Sequence, residues 1–207
     1  MARPREFDTD VAIARIADVF WDDGFEATSI ADLEEATGLA RARLYAAFGT
    51  KRDMLHRSID HYLDGPLEMV FRRVDDGGLD AIAGWFQAIA RLRAEQPRKA
   101  MMGCLVVNSL VEFGDADPEV NKRGDRYRAR VFHAFNSALD AAVDRGETEG
   151  DTTERANVAF MLLLGIFVSI KSGADTATVQ DLADAATGVV ESWRVDGRPD
   201  RSVSPVT

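Results

Sequence analysis

The stretch FWDDGFEATSIADLEEATGLARARLYAAFGTK, residues 20–51, decides the fold. Ser29 and Asp32 have capping-box spacing, which predicts a short helix running to about Ala36 and ended by Gly38. A second short helix over roughly 40–47 stops at Gly49, and Thr50 with Asp53 repeats the capping spacing to open a long helix. Two short helices joined through a glycine and followed by a basic segment have the dimensions of a helix-turn-helix. In the second of them Leu44 and Phe48 are one helical turn apart and face inward with Ile30 and Leu33. Arg41, Ala42, Tyr45 and Ala46 then face outward. Such a face suits a DNA groove: Arg reads guanine, Tyr contacts phosphate, and Ala lets the helix sit close. Lys51 falls in the first turn of the next helix, where free N–H groups and the dipole favour an anion.

Outward from this stretch the pattern stays helical, which predicts an all-α fold. Ile13, Ile16, Ala17 and Phe20 share one face of a helix that stops at Asp22-Asp23-Gly24. Pro66 lies inside the long helix from Thr50 and is expected to end or kink it. Ile82, Phe86, Ile89 and Arg93 mark the next helix, and Met102, Val106, Leu110 and Phe113 stripe the one after. Asp117 and Pro118 read as cap and first position of another, striped by Val131, Phe132, Phe135, Leu139 and Val143. Asp151 to Glu154 opens a helix apolar nearly all round, and Val179, Leu182, Ala186, Val189 and Trp193 mark the last. We expect three units: a helix-turn-helix domain over 1–57, a helical ligand-binding and dimerisation domain over 58–194, and a disordered polar tail over 195–207.

Of the 207 residues, 46% are hydrophobic and 29% charged, enough apolar material for a real core. The longest apolar run, Val158 to Ile170, is too short for a membrane span, which needs about 20 residues, so a buried helix and no membrane partner are expected. The first residues contain no apolar signal-like region, and the single Cys offers no internal disulfide, so a cytoplasmic location is expected. Three His and one Cys make no metal-ligand cluster, so neither metal nor cofactor is expected. The net charge of -10 hides a segregation: residues 41–57 hold five bases and one acid, whereas residues 1–40 hold three bases and ten acids. A short basic segment in an acidic chain is either a phosphate footprint or a solvated helix face.

The run Phe20-Trp21, Gly24-Phe25, Thr28-Ser29-Ile30, Leu33, Gly38-Leu39, Leu44-Tyr45, Phe48-Gly49 and Lys51 resembles the DNA-binding domain of TetR-family transcriptional repressors over about residues 10–57. The resemblance implies a homodimer that binds double-stranded operator DNA and is released by a small-molecule effector. It also implies DNA contacts from Thr28, Ser29, Arg41, Ala42, Arg43, Tyr45 and Lys51. Two positions depart from the pattern. Ala40 replaces the usual hydroxyl cap, and Arg43 stands where a small residue is common, free either to contact DNA or to fold back on an acid such as Glu34. Arg3 and Arg5 read either as a minor-groove arm or as an unstructured terminus.

The last two helices resemble the family's dimerisation helices, and a helix apolar on all sides needs partners on both faces. An effector pocket is expected among the helices starting near 51, 79, 98 and 118, lined by His61, Tyr62, Trp85, Phe86, Met101, Cys104, Asn108, Phe132 and Phe135. For the aromatic and Met residues among them core is the more usual role, since such stripes are the ordinary contents of a helical core. Cys104, Asn108 and Glu112 are four apart and form one polar stripe. Gly103-Cys104-Leu105, Glu112 and Lys171 after the apolar helix resemble the electrophile-sensing NemR-like branch of the family. That likeness implies a reactive Cys104 assisted by Lys171; the other reading is a small core residue beside Gly103.

No paired-carboxylate, Ser-His or phosphate-loop pattern appears, so an enzyme is not expected. The remaining alternative is a helical dimeric ligand-binding or interaction protein without DNA binding, against which Tyr45 and Lys51 speak.

Overall fold

In the computed structural model, which describes residues 7–195, the chain is helical. Three short elements come first: α1 Thr9–Asp23, α2 Ile30–Thr37 and α3 Arg41–Phe48. Both anticipated capping boxes form, Ser29 with Asp32 at α2 and Thr50 with Asp53 at α4, Lys51–Tyr62. Gly38 ends α2 in the left-handed region at φ 70°, and its N–H reaches the Glu34 carbonyl; a β-carbon there would strain the turn that sets α3 against α2.

Pro66 neither ends nor sharply terminates the long helix. A π turn, Leu63–Leu67, absorbs the missing N–H, and α5, Glu68–Phe71, continues beyond it. Next come α6, Gly78–Glu95, and a short α7, Pro97–Met101. The helix expected to carry Met102 starts only at Leu105: Gly103, at φ 68°, breaks the path, and α8 is Leu105–Phe113. Met102 therefore lies outside the stripe, and Cys104 is the N-cap residue rather than a member of the polar face. Asp117 caps α9, Pro118–Asp144, with Pro118 at its first position. Asp151 caps α10, Thr152–Lys171, and α11 is Thr176–Glu191, so Trp193 lies just past the last helix.

One contiguous core runs from Ile13 and Phe20 of α1 through Met54 and Ile59 of α4 to Val131 and Phe135 of α9 and Val190 of α11. α6 packs along α11, and α9 along α10. The helix expected to be buried, α10, is only partly so. Ala156, Ala159, Leu163, Ile166 and Ile170 are buried, while Met161 is 62% and Val168 54% exposed. By length and composition alone α10 would suit a membrane, but its buried side belongs to the protein core. Val195, the first residue of the expected tail, donates to the Glu147 carbonyl at 2.9 Å; the rest of the tail and the Arg3–Arg5 arm lie outside the described residues.

Candidate DNA-binding surface and effector cavity

α3 has the two faces its sequence predicts. Leu44 and Phe48 are buried, and Arg41, Ala42, Tyr45 and Ala46 are exposed, Tyr45 at 42%. Ala40 supplies no side-chain cap, as expected, yet the orphan N–H of Arg41 is not left bare. The Glu34 carboxylate, on α2, accepts it at 2.6 Å. That replacement comes from seven residues upstream, which local capping rules do not reach. Glu34 is thus spent on the α3 backbone, and Arg43 stacks over Phe7, 4.7 Å from the ring centre.

Lys51 opens α4, and its ammonium lies 4.4 Å over the Phe25 ring. Ser29 is exposed at the start of α2. Thr28 departs from its expected role: it is buried, and its hydroxyl donates to the Gly24 carbonyl at 2.6 Å, so it shapes the turn before α2 and has no hydroxyl proton left for a phosphate. Arg41, Ala42, Tyr45 and Lys51 come from two adjoining helices of one small core, with Ser29 at the start of a third.

Several contacts tie this unit to the rest of the chain. The Glu112 carboxylate on α8 accepts the N–H groups of Phe25 and Glu26 at 2.9 and 2.8 Å. His56 of α4 bonds the buried Asp117 at 2.9 Å. The Trp21 indole of α1 donates to the Gly103 carbonyl at 3.2 Å and stands edge-on to Tyr62, 4.9 Å between ring centres. Asp117 is itself the α9 cap. Burial pushes its carboxyl up, but bonds from His56 and from the Val120 and Glu119 N–H groups prevail and leave it below the ordinary range.

A cavity of about 420 Å³ opens between α1, the α4–α5 region, α6, α9 and α10, walled by Trp21, Tyr62, Phe71, Trp85, Tyr127 and Phe167 among others. Of the expected lining residues, Tyr62 and Trp85 are in its wall. Phe86 and Phe135 are not: both are fully buried, stacked 6.3 Å apart in the core beneath. Met101 is 49% exposed, and His61 and Phe132 are half-buried outside the wall. Asn108 donates to the Met102 carbonyl at 2.7 Å and lines a separate groove of about 370 Å³ with Lys171 and Glu112. The wall residues missed by the sequence, Trp21, Phe71, Tyr127 and Phe167, come from four different helices, and only packing leaves a gap between them.

Cys104 is fully buried behind this wall and accepts a bond from the Tyr62 hydroxyl at 3.8 Å. Burial pushes its thiol up, opposed chiefly by the Val107, Tyr62 and Val106 donors. Lys171 is exposed on the groove and is not among the groups acting on the sulfur. The expected Cys104–Lys171 activation is therefore corrected: the thiol sits in an apolar site with tyrosine neighbours, where the thiolate is disfavoured.

This architecture is that of a helix-turn-helix regulator with a hollow helical domain, and comparison with known proteins agrees. Residues 12–57 match the family described as bacterial regulatory proteins, tetR family, and residues 78–186 match the tetracyclin repressor-like C-terminal domain. The chain is 34% identical over 197 residues, 92% of this chain and all of the relative, to the uncharacterised HTH-type transcriptional regulator YezE of Bacillus subtilis. It is 28% identical to the HTH-type transcriptional repressor ComR of Escherichia coli over 87% of this chain and 88% of the relative. A cysteine mutant of the TetR-family regulator CifR, solved with a 26-bp double-strand operator DNA, superposes with a TM-score of 0.75 at 25% identity, covering 90% of this chain and 98% of the other. Reduced NemR of E. coli shares the fold, with a TM-score of 0.76 at 15% identity over 90% of this chain and 97% of the other. The chain belongs to the TetR family of DNA-binding transcriptional regulators.

Proposed function

We propose that this regulator is a cytoplasmic repressor that binds a two-fold operator as a homodimer and leaves it when a small molecule fills the cavity. The observation that carries DNA binding is the exposed Arg41-Ala42-Tyr45 face set over a fully buried Leu44 and Phe48, with Lys51 beside it. Residues 1–57 act as the DNA-binding unit and 58–194 as the ligand-binding and dimerisation unit, α4 being shared by both. Dimerisation uses α10 and α11, because α10 leaves Met161 and Val168 uncovered and a two-fold bundle would bury them. Two recognition helices related by that axis meet successive major grooves about 34–36 Å apart, so the operator is a partial palindrome.

Release follows from where the cavity lies. Its wall includes Tyr62 on α4, three turns beyond Lys51, and Trp21 on α1. A ligand bound better by the DNA-free state moves both helices and takes the recognition helices off their spacing. By reciprocity, operator DNA weakens effector binding. The test is salt-dependent binding of the chain to its own upstream DNA. Lys51→Ala should weaken binding to every sequence and lower the salt slope by about 1, whereas Arg41→Ala should also change base preference at one operator position. If both variants shift affinity alike on every operator variant, Arg41 does not read bases.

A further inference from the structure

Two residues of the cavity wall each carry a buried polar atom that the packing of the described residues leaves over. The Trp85 indole Nε1 and the Tyr127 hydroxyl are buried and have no hydrogen-bond partner among the described residues. Both residues line the same cavity of about 420 Å³. Buried polar groups are nearly always paired, and an unpaired one costs free energy that a partner would recover. The other indole of the wall shows the contrast, since Trp21 has the Gly103 carbonyl as its acceptor. Tyr62 likewise has the Cys104 sulfur.

The chemistry of the two atoms narrows the missing partner. An indole N–H only donates, so Trp85 requires an acceptor. Burial holds the Tyr127 phenol well above its ordinary pKa, so it too keeps a proton to donate. Asp18, exposed on α1, is the one charged residue among those lining the cavity, so an anion would enter without a counter-ion and a cation would meet one only where the wall reaches solvent. Trp21, Tyr62, Phe71, Trp85, Tyr127 and Phe167 present ring surface for a flat apolar body.

We infer that the cavity takes a neutral aromatic compound bearing a carbonyl-type acceptor, which is held by the unpaired donors of Trp85 and Tyr127. This rests on the cavity being the effector site.

The experiment uses the full chain and three probes of nearly one shape: benzophenone, diphenylmethane, which lacks the carbonyl, and 4-benzoylbenzoate, which adds a charge. Binding is followed by calorimetry and by the indole 15N–1H signals, with Trp85→Phe assigning the signal of interest. Benzophenone is expected to bind about tenfold more tightly than diphenylmethane, the discrimination of about one buried hydrogen bond. It should shift the Trp85 indole signal, and the preference should fall to parity when Trp85→Phe and Tyr127→Phe are combined. Equal binding of the ketone and the hydrocarbon to the native chain, a preference that survives in the double variant, or carboxylate binding as tight as benzophenone would overturn the inference while leaving an apolar effector cavity in place. If neither neutral probe binds, or if filling the cavity with Ile89→Trp leaves binding unchanged, the effector-site reading falls together with it.

Discussion

Glu34 shows how a single side chain can stand in for a missing one. α3 begins at Arg41 without a hydroxyl cap, and the Glu34 carboxylate accepts the Arg41 N–H across the turn. A carboxylate there also suits the positive end of the α3 dipole. Glu34→Ala should therefore cost about 1 kcal/mol, the usual value of an N-cap, and weaken operator binding by loosening the recognition helix. Adding Ala40→Ser to that variant should restore most of the stability, because the local cap returns. Chemical denaturation of the single and double variants checks both statements. The Cys104 thiol has the opposite character at this scale: it is enclosed, pushed up by burial, and bonded by Tyr62.

Among the elements, α1 has the double role. It is the first helix of the DNA-binding unit, and through Trp21 it is also wall of the cavity. Trp21→Phe keeps ring contact but deletes the bond to the Gly103 carbonyl. The variant should still bind a cavity ligand within a few-fold yet lose much of the ligand's effect on operator affinity, measured as the ratio of DNA affinities with and without benzophenone. The start of α9 makes a second link. Asp117 has a folded-state pKa below its ordinary 3.8, so its contribution is fully present above that value and is lost as pH falls through the lower, folded value. Stability of the native chain should therefore drop on acidification below about pH 4, and Asp117→Asn, which can still cap α9, should show a shallower acid limb. Thermal unfolding between pH 3 and 6 compares the two; equal slopes would remove Asp117 as a source of the acid sensitivity.

For the whole molecule, the question is what covers α10. A 20-residue helix with Met161 and Val168 largely exposed leaves apolar surface that a partner copy would remove from water. Met161→Glu places a charge in that face and should shift the chain toward monomer in sedimentation at micromolar concentration, with loss of at least tenfold in operator affinity, because one recognition helix then binds without its mate. Unchanged mass would place the dimer elsewhere. The charge distribution acts at the same scale: the net -10 of the chain repels DNA in general, while the basic run over 41–57 attracts it at one end, so binding should fall steeply with salt.

Much of this was legible in the residues themselves. Capping boxes at Ser29 and Thr50, the glycine stop at Gly38 and the four-residue spacing of Leu44 and Phe48 are local signals, and local backbone energetics decides them. They were enough to define the helix-turn-helix and its outward face. The tertiary structure decided what depends on partners distant in sequence. Pro66 is passed by a π turn because α5 remains packed against α9 and the core. Gly103 starts α8 late and puts Cys104 at its cap. Thr28 turns inward, Phe86 and Phe135 fill the core instead of the cavity, and Glu34 caps a helix that is not its own. The cavity is the clearest case. An apolar stripe states that a side chain leaves water, whereas only the fit of α1, α6, α9 and α10 around one another determines whether it meets another side chain or an empty space.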